Sequence, residues 1–195
     1  MKQELKIYLT RREKQHLSAA GYMPAAVLMP LYCKDKQYHV LFTRRTNTVA
    51  THKGEISFPG GRYEKKDGSL LNTALRESAE EIGLMPQDAE ILGELDDTLT
   101  TTSSYVISPF VAFIPYPYAF RLEESETEEI IEVPLESLIN QSPPERRVEF
   151  KDGKPLDSYI YNYQGQIIFG ATARILYQFL DIWLRLAGDR SCGPE

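Results

Sequence analysis

The segment between residues 69 and 83 carries the clearest local signals in the chain and constrains the fold most. Ser69 is a residue type that caps helix N-termini, and Gly83 is one that ends helices. Between them, apolar and small residues recur on one side at helical spacing: Leu71, Leu75, Ser78, Ala79 and Ile82. The pattern predicts a helix from about Ser69 to Ile82 that packs one side on a sheet.

Apolar runs around this segment predict strands. Residues 23–32 and 38–44 flank a short polar stretch and predict an antiparallel hairpin, while residues 54–58 predict a short strand. Further strands are predicted at the following places: residues 90–98, 105–114 and 158–169. A second helix is predicted from about Ala171 to Leu186, where an apolar stripe favours core packing, with a dimer contact as the alternative.

The length of 195 residues suits a single domain over residues 1–195. Within it, residues 1–20 are predicted to form a charged N-terminal arm, in which residues 2–18 are a candidate helix, and residues 187–195 a flexible tail. Strands mixed with two main helices predict an α+β fold of the α/β/α sandwich type, in which a mixed β-sheet is flanked by helices.

The charge balance limits the partners of the chain. A net charge of −6 and a pI near 5.2 argue against a nucleic-acid polymer, because phosphate backbones bind basic surfaces. No apolar run has the length of a signal peptide or a membrane helix, so we expect no membrane partner. The two cysteines, Cys33 and Cys192, are widely spaced and predict free thiols in a cytoplasmic protein.

Three carboxylates stand close together on the first predicted helix. Glu77, Glu80 and Glu81 fall within about 100° of arc at helical geometry, so their like charges repel. A hard divalent cation such as Mg²⁺ prefers oxygen ligands and would remove that repulsion. Clustered glutamates also occur as an ordinary solvated helix face, which is the alternative interpretation.

The neighbours of the cluster favour metal binding over a solvated face. Gly60 and Gly61 precede the helix, and consecutive glycines let backbone approach a ligand closely. Arg76 is suited to fix a carboxylate or the preceding loop by paired hydrogen bonds.

Residues 76–84 (RESAEEIGL) resemble the second half of the Nudix hydrolase signature, with Ser78 at a position that is usually apolar. In the first half, Gly61 is followed after five residues by Asp67 rather than Glu, and eight residues rather than seven separate Asp67 from Arg76. This expanded spacing is similar to that of the coenzyme A pyrophosphatase branch of the family.

Other segments are similar to the same branch: residues 41–45, 52–61, 60–67, 132–135 and 168–176. The resemblance therefore covers residues 23–180. It departs at Ala50, where the branch usually has an Arg that could help to bind coenzyme A.

The resemblance implies hydrolysis of the diphosphate of coenzyme A or its thioesters, giving 3′,5′-ADP and 4′-phosphopantetheine, with Mg²⁺ or Mn²⁺. It implies catalytic roles for Arg76, Glu77, Glu80 and Glu81, and metal binding by Gly61, Glu77, Glu80 and Glu81. The expected substrate-binding residues are Arg44, Arg45, His52 and Gly60, and the candidate bases are Glu126, Glu128 and Glu129. The alternatives are another nucleoside diphosphate derivative or a non-catalytic nucleotide-binding regulator. A homodimer is left open.

Overall fold

The computed structural model describes residues 1–46, 54–142, 144–151 and 153–187. Its centre is a mixed sheet of eight strands: β1 (Met23–Lys34), β2 (Gln37–Arg45), β3 (Ile56–Ser57), β4 (Gly60–Arg62), β5 (Glu90–Glu94), β6 (Thr98–Leu99), β7 (Tyr105–Phe113) and β8 (Thr127–Pro134). A smaller sheet contains three strands: β9 (Glu145–Lys151), β10 (Lys154–Tyr163) and β11 (Gln166–Ile168). The helices are α1 (Lys2–Arg11), α2 (Leu70–Ile82), α3 (Leu135–Ile139) and α4 (Gly170–Ala187).

The main path through the larger sheet is β3-β2-β1-β7-β5, and β4, β6 and β8 pair with β1, β7 and β2 respectively. β1 and β7 are parallel, whereas the other pairs in this sheet are antiparallel. The predicted hairpin is confirmed as β1 and β2, joined through Asp35 and Lys36. Both turn residues have positive φ, 51° and 62°, as a two-residue hairpin loop that follows the strand twist requires.

Two apolar layers, one on each face of the larger sheet, make this an α/β/α sandwich and confirm the predicted fold class. Because side chains alternate along a strand, neighbours in β1 enter opposite layers: Leu28 packs in the α2 layer, and Met29 packs in the layer with α1 and α4. In the same way, Leu41 of β2 faces the α2 layer and Phe42 the other. β1 is therefore apolar along most of its length, as a strand covered on both faces must be.

Helix α4 spans the predicted second helix and confirms the interpretation of its apolar stripe as core. Its buried apolar residues all belong to the layer opposite α2: Ala173, Ile175, Leu176, Phe179, Leu180, Ile182, Trp183 and Ala187. Among the described helices, none combines the length and apolar content that crossing a membrane requires.

Several segments differ from the sequence-based expectations. The single strand predicted over residues 158–169 is two strands, β10 and β11, with a turn at Gln164 and Gly165. The N-terminal segment contributes α1, whose Leu5 and Leu9 are buried in the core. Cys33 is disulfide-bonded, so the expectation of a free thiol is wrong for this residue. Of the predicted tail, only Ala187 lies within the described residues, as the last residue of α4.

Candidate active site

The helix that carries the carboxylates begins and ends as its sequence predicts. The Ser69 hydroxyl accepts a hydrogen bond from the Asn72 backbone N–H at 3.1 Å and caps the first turn. At the other end, Gly83 has φ of 69° and donates its N–H to the Ala79 carbonyl at 3.1 Å. Ser78 is fully buried, and its hydroxyl donates to the Ala74 carbonyl at 2.7 Å, so a polar residue fits the apolar face.

Two glycines hold β4 against both the sheet and the helix. A Cβ on Gly60 would lie 2.6 Å from the Val27 Cα of β1, and one on Gly61 would lie 2.5 Å from the Glu77 carboxyl carbon. Gly60 also has φ of 156°, at the edge of the region that favours glycine. A side chain at Gly61 would thus occupy the space that the Glu77 carboxylate fills.

Glu81 lies deeper than the other carboxylates of the helix, with a side chain only 5% exposed. One oxygen accepts the Gly60 N–H at 3.4 Å, and the other lies 3.8 Å from a guanidinium nitrogen of Arg45. Burial raises the pKa of Glu81 to about 8, although Arg45 opposes the shift and Glu77 adds to it. Burial also raises the pKa of Glu77, against the influence of Arg76.

Glu80 has a different environment from the other two glutamates. Its side chain is 55% exposed, and its carboxylate accepts a hydrogen bond from Arg76 Nη1 at 2.9 Å. The same Arg76 nitrogen lies 2.9 Å from a Glu77 carboxylate oxygen. Glu77 and Glu81 therefore lie against β4, whereas Glu80 is mostly exposed, and Arg76 contacts both Glu77 and Glu80.

Arg76 and Asp67 join the helix to the loop before it. The guanidinium donates to both Asp67 carboxylate oxygens, at 2.8 and 3.1 Å, in a bidentate pair. The Glu64 N–H and the Thr73 hydroxyl bind the same carboxylate at 2.9 and 2.8 Å. The bonds from Arg76 hold the pKa of Asp67 well below its usual range, despite burial. Asp67 thus acts as the acidic anchor of the loop, even though the sequence expectation for the signature at this position is Glu.

The neighbouring arginines of β2 lie on opposite faces of the sheet. Arg45 follows the alternation of Leu41 and lies near Glu81. Arg44 points the other way, where it donates to the Glu129 carboxylate at 2.7 Å, to the Gly54 carbonyl at 3.2 Å and to the Gln166 side-chain oxygen. The structure therefore brings Arg45, but not Arg44, to the glutamates. Strand alternation in residues 38–44 was the sequence signal that could have separated them.

The three acidic residues considered as a base also differ. The charge of Glu126 lies close enough to raise the pKa of Glu77 and Glu81 beyond the effect of burial. Glu129 is paired with Arg44, and Glu128 is an exposed residue at the bulge where β8 shifts register against β2. His52, predicted to bind substrate, and Ala50 lie outside the described residues.

A divalent cation fits part of the predicted ligand set. Among the described residues, no three His, Cys, Asp or Glu side chains are grouped as a metal centre. Two carboxylates with raised pKa values, the buried Glu81 and the partly buried Glu77, nevertheless lie against the Gly60 and Gly61 backbone, where the missing Cβ of Gly61 makes room for the Glu77 carboxylate. Two such ligands suit Mg²⁺, which takes few protein ligands and keeps several waters. Glu80 differs from this pair because its side chain is mostly exposed.

Residues 22–155 match the NUDIX domain. A protein of Photorhabdus laumondii subsp. laumondii, named uncharacterized Nudix hydrolase NudL, is 36% identical over 154 residues, which is 79% of this chain and 81% of that protein. A protein of the same name from Yersinia pestis (strain Pestoides F) is 32% identical over 161 residues, covering 83% and 80%.

Solved structures share the fold. The chain matches a NUDIX hydrolase from Alicyclobacillus acidocaldarius with a TM-score of 0.54, at 18% identity over 65% of this chain and 85% of that one. It matches a C. elegans Ap4A hydrolase with a TM-score of 0.54, at 14% identity over 84% and 98%. These structures show the fold alone, whereas the domain match and the relatives above 30% identity show that the chain belongs to the Nudix hydrolase family, as a pyrophosphohydrolase of nucleoside diphosphate derivatives.

Proposed function

We propose that the substrate is coenzyme A or one of its thioesters, cleaved to 3′,5′-ADP and 4′-phosphopantetheine. The observation that carries the proposal is the meeting of Glu77, Glu81 and Arg45 at Gly60 and Gly61 of β4. These glycines lie inside residues 52–67, the stretch that resembles the coenzyme A pyrophosphatase branch. A diphosphate needs both a cation site and a cationic side chain, and this corner of the fold offers both.

Glu77 and Glu81, with the Gly61 carbonyl, are the proposed ligands of Mg²⁺ or Mn²⁺, which hydrolases of this family generally use. When bound, the cation neutralises charge on the diphosphate oxygens and acidifies the attacking water. Gly61 leaves room for this approach, because any Cβ there would overlap the Glu77 carboxylate. Glu80 is proposed to contribute from its exposed position beside Arg76, as a weaker or water-mediated partner.

Arg45 is the proposed contact to the diphosphate. It is the described cation nearest to Glu81, and its side chain keeps more than a quarter of its surface exposed. Gly60 is proposed to line the substrate side of β4, and His52, outside the described residues, stays a substrate contact proposed from the sequence alone. Arg44, which was grouped with them, has its guanidinium bound by three protein groups and is proposed to hold the surrounding strands instead.

Glu126 is the proposed base that takes the proton from the attacking water. Its charge acts on both Glu77 and Glu81, and its side chain is exposed, so it can pass a proton on to solvent. Its backbone carbonyl accepts a hydrogen bond from the Thr46 N–H at 2.9 Å, which ties the residues just before β8 to the end of β2. Arg76 contacts Glu77 and donates to Asp67, so it holds the helix and the loop before it in a fixed relative position.

The test is product analysis on a substrate panel with Mg²⁺ and Mn²⁺, using coenzyme A, acetyl-coenzyme A, ADP-ribose and a dinucleotide tetraphosphate. We expect 3′,5′-ADP and 4′-phosphopantetheine from coenzyme A, and none from a Glu81→Gln control. Preferred cleavage of ADP-ribose or the dinucleotide would overturn the coenzyme A assignment but keep the enzyme class. Ligand-stabilised melting without product from any substrate would instead favour a nucleotide-binding regulator.

A further inference from the structure

The smaller sheet ends in an open edge. β9 is hydrogen-bonded to β10 and, within the described part of the chain, to no other strand. An edge strand presents a row of backbone N–H and C=O groups that can pair with another chain. β9 has seven residues and no proline within it, so neither shortness nor a missing N–H blunts the edge.

The same strand carries the two most exposed large apolar side chains among the described residues. Phe150 is 72% exposed and Val148 is 54% exposed. They are two positions apart and therefore lie on one face of the strand. Large exposed apolar side chains that share a face at an open edge are typical of a surface that is covered by a partner.

The charge sequence of β9, ERRVEFK, complements itself. In an antiparallel pair of two copies centred on Val148, Arg147 stands opposite Glu149 of the second copy, and Glu145 stands opposite Lys151. Arg146 stands opposite Phe150, a cation facing an aromatic ring. Every charged position thus meets an opposite charge or a ring, and Val148 meets Val148.

Neighbouring registers lack this property. Centring the pair on Arg147 would place two Arg147 residues opposite each other and Glu145 opposite Glu149. Centring it on Glu149 would oppose the two Glu149 residues and place Arg147 opposite Lys151. Like charges directly opposite destabilise a strand pair, so the pattern favours the Val148 register alone of these three.

We propose that β9 pairs antiparallel with β9 of a second copy, forming a two-fold symmetric dimer centred on Val148. The two smaller sheets then join into one continuous sheet across the axis. The ion pairs that Arg146 and Arg147 make within the chain, with Asp157 and Glu145, are exposed and do not hold these side chains away from the edge. The partner is a copy of the same chain because the edge complements its own sequence.

The test is a charge swap followed by sedimentation velocity over a range of protein concentrations. Arg147→Glu places like charges opposite each other twice per dimer, and we expect it to weaken dimerisation about tenfold or more. Glu149→Arg should do the same from the other side. The double variant restores opposite charges at both places and should dimerise like the wild type.

A second measurement is amide hydrogen exchange in β9, which should slow with rising concentration in the wild type and the double variant only. A wild type that stays monomeric at all concentrations overturns the proposal, as does a single variant that dimerises unchanged. Failure of the double variant to recover, with its melting temperature unchanged, overturns the Val148 register and so the proposal. Hydrolase activity, unchanged in all four proteins, serves as the folding control.

Discussion

The glutamate end of α2 and the edge of β9 both carry several charged residues, but Glu77 and Glu81 of α2 are largely shielded from water, whereas Arg146 and Arg147 of β9 are exposed. At α2, Glu77 and Glu81 lose most of their water, and their pKa values rise because nothing compensates fully for burial. At β9, Arg146 and Arg147 stay in solvent. A carboxylate removed from water costs free energy unless a cation or another ligand binds it there. Charges that stay in solvent contribute little singly, so they indicate a partner only through the order in which they occur along the strand. The first region therefore indicates chemistry and the second a partner.

The largest expected effect separates two glutamates of the same helix. Loss of a side chain that only supports a metal ligand lowers activity roughly 10- to 100-fold. Glu81→Gln should reduce turnover by more than that, because Glu81 faces Gly60 of β4, where the metal is proposed to bind. Glu80→Gln, the matched control, should fall within that smaller range, since Glu80 is exposed and bound to Arg76. Steady-state kinetics and Mn²⁺ titration measure both. Equal losses would show that burial does not distinguish the two ligands.

Asp67→Asn should be next in size. It weakens the bidentate bond to Arg76, so the loop and Glu77 lose their common anchor, and metal affinity should fall about 10- to 100-fold. Lys66→Gln, in the same turn but exposed, is the matched control and should leave affinity unchanged. Isothermal titration with Mn²⁺ measures the difference. An unchanged affinity for Asp67→Asn would remove Asp67 from the site.

Substitutions of the two arginines of β2 should affect different quantities, KM for Arg45 and the melting temperature for Arg44. Arg45→Met should raise KM about tenfold, the loss expected for one charge-assisted contact to a phosphate. Arg44→Met should leave KM unchanged and lower the melting temperature, because its bonds join β2 to β8 and β11. Kinetics and differential scanning calorimetry on the same preparations decide this. A raised KM in Arg44→Met alone would reverse the assignment.

The pKa of Glu81 gives a pH dependence with a definite sign. With a folded-state pKa of about 8 and an unfolded value near 4.3, the folded protein binds the extra proton in between. Stability of the metal-free protein should therefore fall as pH rises from about 4.5 to 8, by up to about 1.4 kcal/mol per pH unit. Glu81→Gln should flatten this slope in chelator-containing buffer. Parallel stability curves for the two proteins would contradict the burial argument.

The smallest effect is expected at the edge of β9. Phe150→Ser changes a side chain that is mostly in solvent, so the stability of the monomer should stay within about 0.5 kcal/mol. Turnover should also be unchanged, because β9 lies in the smaller sheet, whereas the candidate site lies on α2 and on β4 of the larger sheet. Urea unfolding at low protein concentration and steady-state kinetics test this. A large loss of activity would contradict the view that β9 and the candidate site on α2 act independently.

Local signals predicted the elements whose ends are set by their own residues. Ser69 and Gly83 define α2 because each satisfies a helix terminus without help from the rest of the fold. The turn at Gln164 and Gly165 was missed because apolar and tyrosine residues continue on both sides of it. β8 was not predicted because acidic residues precede and interrupt its apolar ones. Ile131 and Val133 are buried in the core only when β8 pairs with β2.

The candidate site was predictable as a set of residue types but not as a geometry. The sequence placed Glu77, Glu80 and Glu81 on one arc, yet only the fold decides which carboxylates meet β4. The bond between Glu80 and Arg76 follows from i,i+4 spacing on the helix, but the bidentate bond between Arg76 and Asp67 crosses the turn of the chain before the helix. Tertiary contacts of this kind carry no local signature.

The alternation along β2 also governs how the chain can change in length. Arg44 and Arg45 exchange faces if the strand shifts by one residue relative to its neighbours, and Leu41 and Phe42 would exchange layers with them. Loss or gain of one residue at the Asp35 and Lys36 turn would cause such a shift if it were transmitted to β2, whereas a change of two would keep the parity. A one-residue change in this hairpin must therefore be absorbed by a different turn type, so that Arg45 still faces Glu81.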